Sequence, residues 1–119
     1  MSTTEIVLKY FKRVDYKDGS SKYAFICDEH NKEGMQKLDK LYKMIREKRL
    51  KNPNRLFKHA SGGYFFYLSS KKGKENEKFE QNHEYKLTLE IYVYNQYLCA
   101  MIEKSEMVMD KAKKEVIEL

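Results

Sequence analysis

The stretch YKLTLEIYVY, residues 85–94, decides the fold of this chain. Successive side chains of a β-strand point to opposite faces. Here strict alternation separates a largely apolar set from a set with tyrosines and charges, so the stretch predicts a strand with one buried side. The buried set is Tyr85, Leu87, Leu89, Ile91 and Val93, and the outer set is Lys86, Thr88, Glu90, Tyr92 and Tyr94.

Further strands are predicted on both sides of this stretch. Glu5 to Asp15 and Tyr23 to Cys27 are rich in β-forming residues, and the Asp18-Gly19 pair between them is a turn signal. They therefore read as a hairpin. After residue 94, Asn95-Gln96 turns the chain into a last strand, Tyr97 to Ile102.

The stretch SGGYFFYLSSKKGK, residues 61–74, holds another strand with rings on both sides. Either Phe65 with Tyr67 or Tyr64 with Phe66 must face away from the core, and the sequence leaves both choices open. The polar residues that follow, to position 83, predict a solvated hairpin loop.

Two helices are predicted between and after the strands. Apolar residues of Asn31 to Leu50 recur at helical spacing, Asn31 can cap the first turn, and Pro53 disfavours helical geometry at the residue before it. Ser105 can cap a final helix, in which Val108, Ala112 and Val116 repeat every four residues.

The order of elements predicts a single, mainly β domain over residues 1–119. We expect an OB-like five-stranded barrel or a strongly curved antiparallel sheet, with an inserted amphipathic helix and a C-terminal helix. An open antiparallel sheet with a helix on one face fits the same order.

The composition of the chain limits the cellular compartments in which we expect the protein. No apolar run is long enough to cross a membrane, and the N-terminus lacks the apolar stretch of a secretory signal. Cys27 and Cys99 make no disulfide framework, so a reducing cytoplasm is the simpler setting, and a bridge between them is left open.

The positive charge is concentrated in one part of the chain. The net charge is +6, yet residues 37–58 alone hold nine Lys and Arg against two acids. A local positive field is typical of proteins that bind polyanions. The candidate phosphate contacts are Lys43, Arg46, Lys48, Arg49, Lys51, Arg55, Lys58, Lys71, Lys72 and Lys74.

The residues offer little for catalysis or metal binding. Cys27 and His30 have a C-x-x-H spacing, but His59 and His83 have no paired spacing that would complete a zinc site. Phosphate-binding, nucleophile-elbow and zinc-protease motifs are absent from the sequence. We therefore expect no enzyme activity, no metal and no cofactor.

Three segments of the chain resemble a known family. KYAFICDEHNKEGMQKLDKLYKMIREKRLKNPNR, GGYFFYLSSKK and HEYKLTLEIYVYNQ are similar to segments of the OB-fold single-stranded DNA-binding proteins of bacteriophages and other DNA viruses. The resemblance spans roughly residues 20 to 103. It implies non-catalytic, largely sequence-independent binding of single strands during viral replication or recombination, in the cytoplasm of a host cell.

The expected function is binding of single-stranded nucleic acid, with DNA favoured over RNA. Cations would contact phosphates and aromatic rings would stack on bases. Two rivals stay open: a dimeric α+β viral accessory protein that binds duplex DNA or a protein, and a tyrosine-dependent nickase with a degenerate metal site. The candidate stacking residues are Tyr64, Phe66, Tyr67, Tyr92 and Tyr94.

Overall fold

The structure is a computed structural model that describes residues 3–70, 78–108 and 117. Within those residues the chain forms six strands and one helix. In chain order they are β1 (Thr3–Asp15), β2 (Ser21–Cys27), α1 (Lys32–Glu47), β3 (Phe57–Lys58), β4 (Tyr64–Ser70), β5 (Glu84–Tyr94) and β6 (Tyr97–Met107).

Five of these strands close into a barrel. The ring runs β1-β2-β4-β6-β5 and returns to β1, with antiparallel pairing everywhere except between β4 and β6, which are parallel. The two-residue β3 adds to the edge of β4. The prediction of an OB-like barrel is confirmed, and the open sheet is excluded because the pairing of β4 with both β2 and β6 closes the ring.

The two ends of the barrel are covered differently. Helix α1 begins where the side chain of Asn31 accepts a hydrogen bond from the Gly34 amide, and it buries Leu38, Leu41 and Ile45 against one end. At the other end, the ring of Phe79 packs edge-on against three aromatic residues of two strands, β2 and β5, with centroid separations of 5.0–5.4 Å. These residues are Tyr23, Phe25 and Tyr85.

Two details of the predicted elements are corrected. Ser105 does not cap a helix, because it lies in β6 opposite Leu87 and continues the barrel. Val93 belongs to the apolar side of β5, yet it is 48% exposed because the pairing of β1 with β5 ends at Glu90. The remainder of the predicted C-terminal helix, with Ala112 and Val116, and most of the polar loop at 71–83 lie outside the described residues.

Candidate nucleic-acid interface

The two sides of β4 answer the question that the sequence left open. Tyr64, Phe66 and Leu68 point into the barrel and are fully buried, whereas Phe65 and Tyr67 are half-buried on the outside. On the neighbouring strand β2, Ile26 lies opposite Phe65 and the small Ala24 lies opposite Tyr67. The outside of β4 therefore carries two rings beside small or aliphatic neighbours.

A third ring covers these two. Phe57 of β3 lies nearly parallel to Phe65, with centroids 5.3 Å apart and planes at 22°, and nearly parallel to Tyr67 at 6.3 Å and 24°. Phe57 is 40% exposed. Its ring offers surface on which a flat ligand can stack.

A fourth ring reaches this surface through a β-bulge. The register of β1 against β2 shifts between Tyr10 and Lys12, so Phe11 is the extra residue of β1. Phe11 packs edge-on against Phe65 at 6.1 Å, and Lys12 Nζ lies 5.5 Å from the Phe11 centroid. We call Phe11, Phe57, Phe65 and Tyr67 the outer aromatic strip.

Asn54 holds the strip beside β6. Its side chain is buried, donates to the carbonyls of Tyr67 and Ala100, and accepts from the Ala100 amide, at 2.7–3.0 Å. Its own carbonyl accepts from the Tyr67 amide at 2.8 Å. Within the described residues, β4 and β6 pair directly only at Ser69 and Ser70, and Asn54 joins the two strands further along. The buried amide thereby takes the place of strand pairing.

This arrangement sets the position of Arg55. The backbone of this residue has a positive φ of 47°, which residues other than glycine rarely adopt. Its guanidinium lies 5.5 Å from the centroid of the Tyr67 ring, in the range of a cation–π contact. A cation is therefore held directly against the strip.

Two further cations, Lys22 and Lys51, lie close to aromatic rings outside the strip. Lys22 of β2 is half-buried and donates to the carbonyl of Pro53, and its Nζ lies 5.7 Å from the Tyr16 ring. Burial lowers the pKa of Lys22, and the charge of Arg55 lowers it further. Lys51 lies 4.8 Å from the ring of Tyr97, at the start of β6.

The predicted phosphate contacts divide into three groups. The first group is exposed between α1 and β4: Lys51, Arg55 and Lys58. Of these, Arg55 lies against the strip, whereas the Nζ atoms of Lys51 and Lys58 lie nearest the rings of Tyr97 and Tyr64. A second group is exposed on α1 and just after it, where Lys43 pairs with Glu47 at 3.8 Å: Lys43, Arg46, Lys48 and Arg49. Lys71, Lys72 and Lys74 lie outside the described residues.

Two of the predicted stacking residues are corrected. Tyr64 and Phe66 have no exposed surface, because they point into the barrel, so neither ring can meet a base. The Tyr64 hydroxyl instead donates to the Asp39 carboxylate of α1, and burial together with that bond raises the pKa of the phenol. Tyr67 lies in the strip, as described above.

The last two predicted stacking residues lie elsewhere on the surface. Tyr92 and Tyr94 are 38% and 66% exposed near the end of the β5–β6 hairpin. The Tyr92 hydroxyl approaches the sulfur of Met101 at 3.9 Å, and no ring contact joins either tyrosine to the strip within the described part of the chain. Their role in binding stays a prediction.

Sequence reasoning missed several residues of this surface. Phe11 joins it because of a bulge, and Phe57 because a two-residue strand pairs with β4. Neither the bulge nor the two-residue strand produces a periodic pattern in the sequence. The NPNR run, residues 52–55, was the available sign of a special turn, since Asn and Pro favour turns and Asn tolerates unusual backbone conformations.

Among the described residues, no three or more His, Cys, Asp or Glu side chains are grouped so as to hold a metal ion. No helix within the same residues is long and apolar enough to span a membrane.

Comparison with protein-family models, with curated proteins and with solved structures finds no match to this chain.

Proposed function

We propose that this chain binds single-stranded nucleic acid, DNA in preference to RNA, and that it does so without catalysis. The observation that carries the proposal is the outer aromatic strip with Arg55 and Lys22 beside it. The rings of the strip stand on β1, β3 and β4, and Lys22 stands on β2, which pairs with β4. Strands β2 and β4 are the second and third strands of the barrel ring. In OB-folds the corresponding face binds oligonucleotides.

The chemistry of the strip favours unpaired bases. Every base has a flat face that can stack on an aromatic ring, and each such contact is worth about 1–3 kcal/mol. In a duplex those faces are already stacked on neighbouring base pairs. Phe57, the outermost ring, would receive a base directly, while Phe65 and Tyr67 support it from below.

The cations supply the part of the affinity that depends on salt. Each phosphate neutralised by Lys or Arg releases condensed counterions. The cations in contact with the strip are Lys12, 5.5 Å from the Phe11 ring, and Arg55, 5.5 Å from the Tyr67 ring. The more distant cations of α1 would add a weaker, less directed attraction.

The wider context of the proposal comes from the sequence resemblance. It implies a role in viral replication or recombination in the cytoplasm of a host cell. The non-catalytic role has its own test, since a tyrosine-dependent nickase would form a covalent DNA adduct in the presence of Mn²⁺, and we expect none.

A competition experiment tests the proposal. Fluorescence anisotropy of a labelled single strand would be followed while unlabelled single-stranded DNA, RNA of the same sequence or duplex DNA is added. We expect single-stranded DNA to compete best and duplex worst. A preference for duplex would refute the proposal and favour the rival accessory protein.

Substitution of the strip locates the binding surface. We expect Phe57→Ala and Tyr67→Ala each to weaken binding about 5- to 100-fold, as loss of one stacked base predicts. The matched control is Tyr42→Ala, because Tyr42 of α1 also carries an arginine, Arg46, at 5.9 Å from its ring. Equal losses in all three variants would rule out the strip as the interface.

A further inference from the structure

Lys22 and Arg55 form a pair of neighbouring cations on the outer surface. Lys22 Nζ donates to the carbonyl of Pro53, two residues before Arg55 in the chain. Burial and the charge of Arg55 lower the pKa of Lys22, whereas Cys99 and Asp18 act in the opposite direction. Neither cation makes an ion pair within the described residues. By contrast, Lys37 is also half-buried and bonded to a backbone carbonyl, yet it pairs with Glu33 at 3.3 Å.

This pair is held together at a cost. Burial and a like-charged neighbour both disfavour the charged form of Lys22. Arg55 adds a backbone conformation that is unfavourable for a residue with a side chain. The hydroxyl of Tyr16, whose ring lies beside Lys22 Nζ, is buried without a hydrogen-bond partner among the described residues. Such uncompensated polar groups concentrate at binding sites.

We propose that Lys22 and Arg55 together seat one phosphodiester of the bound strand. An anion between the two cations would relieve their repulsion and supply the missing counter-charge. The contact of the Arg55 guanidinium with the Tyr67 ring places that phosphate beside a base stacked on the strip. We call this phosphate site, formed by Lys22 and Arg55, the seat. By holding one phosphate it fixes the register of the bound strand on the protein. This inference rests on the proposed function.

The seat differs from the general positive field of the helix. Lys43 and Arg46 are exposed on α1, where Lys43 already has an acidic partner. Such side chains attract a strand without fixing its position. The Lys22–Arg55 pair, which is anchored by the Pro53 carbonyl and the Tyr67 ring, can hold one phosphate at one place.

The salt dependence of binding tests the seat. One phosphate contributes a slope of about 0.7 in log K against log salt for single strands, however many cations touch it. We expect Lys22→Met and Arg55→Gln each to weaken binding about tenfold. We expect the double variant to lower the slope by about 0.7, as one lost phosphate requires, and a decrease of about 1.4 would mean two independent contacts and overturn the seat.

Matched controls accompany these variants. Lys37→Met removes a half-buried lysine that has a carboxylate partner, and Arg13→Gln removes an arginine of β1 that pairs with Asp15 at 2.8 Å. We expect the controls to change affinity less than threefold, since neither cation belongs to the seat. Losses equal to those of Lys22→Met and Arg55→Gln would overturn the inference.

Oligonucleotides with one uncharged phosphate analogue can distinguish failure of the seat from failure of the proposed function. A series of oligonucleotides would each carry a single methylphosphonate, at a different position along the bound strand. We expect one position to weaken binding to the wild-type protein and to leave binding to the double variant unchanged. If the wild type binds single strands but no position behaves in this way, the seat fails while the proposed function stands. If no single strand binds, the proposed function itself fails.

Free inorganic phosphate is the other anion that the Lys22–Arg55 pair could bind. At matched ionic strength, sodium phosphate and sodium chloride should weaken the binding of the strand equally, because the seat needs the phosphodiester that the stacked bases position. A markedly stronger effect of phosphate would assign the pair to the free ion and overturn its assignment to the strand.

Discussion

The two sides of β4 use the same kind of residue for different purposes. On the inner side, Tyr64 and Phe66 are enclosed by the barrel and expose no surface. On the outer side, Phe65 and Tyr67 stack under Phe57, with an arginine against one ring. The inner rings fill a closed volume, whereas the outer rings form a layer that still has free surface.

This difference shows that aromatic content alone does not indicate a binding surface. The inner rings contribute the free energy of burial and have no further capacity for contact. The outer rings leave apolar area in water, at some cost to solubility, and keep it available for a ligand. A strand with rings on both sides can therefore serve folding with one side and recognition with the other.

The largest expected effect is the loss of an inner ring. Phe66→Ala should lower the free energy of unfolding by about 3–5 kcal/mol, because it removes a fully buried ring and leaves a cavity. Phe65→Ala should cost about 1 kcal/mol, mainly its contacts with Phe57 and Phe11. Urea denaturation measures both values.

The same two variants separate folding from recognition. Phe65→Ala should weaken binding of a single strand while most of the stability remains. An equal loss of stability in the two variants would contradict the distinction between the two sides of β4.

Asn54 is expected to rank next, because it ties the outer strip to the barrel. Asn54→Ala leaves the Ala100 amide and two carbonyls without their partner, so the free energy of unfolding should fall by about 3 kcal/mol. The control is Asn52→Ala, which removes two hydrogen bonds to the backbone of Leu56 and should cost about 1 kcal/mol. Similar values for both variants would show that Asn54 does not bridge β4 and β6.

The alternation of residues 85–94 was sufficient to predict which residues of β5 line the barrel as far as Leu89. The cap at Asn31 and the turn at Asn95-Gln96 were also predicted correctly, since each depends on local chemistry, and both turn residues have positive φ. The outer strip could not be predicted as a whole. Its members are brought together by the bulge at Phe11 and by the pairing of Phe57 with Phe65, and both depend on which strands become neighbours.

The buried thiol of Cys27, at the end of β2, makes the stability of the barrel depend on alkaline pH. Burial, with the charges of Asp28 and Asp39, raises the pKa of Cys27 from 9.0 to about 11. The folded state therefore holds this proton more tightly than the unfolded chain does, so its contribution is complete below pH 9 and is lost as pH rises towards 11. The free energy of unfolding should fall by about 1.4 kcal/mol between pH 8 and pH 10 from this group alone.

The control for this measurement is Cys27→Ala, which should show a smaller decrease over the same range. Tyr64 contributes in the same direction only at higher pH, because the ordinary pKa of its phenol is 10.0 and the folded value is higher. A decrease of the same size in Cys27→Ala would show that the thiol does not titrate with folding.

The smallest expected effect concerns a residue that alternation assigns to the inner side but the barrel leaves outside. Leu89 and Val93 belong to the same apolar set of β5, yet Leu89 is buried and Val93 is half exposed. Leu89→Ala should cost about 2–5 kcal/mol, whereas Val93→Ala should change the free energy of unfolding by less than about 0.5 kcal/mol. Thermal and urea unfolding of the two variants measure this difference. A loss above 1 kcal/mol in Val93→Ala that grows with protein concentration would show that a second copy covers the end of the hairpin, because stability then depends on association. Burial would in that case follow the alternation of β5 to its last residues, and the inner side of the strand would continue into an interface between two copies.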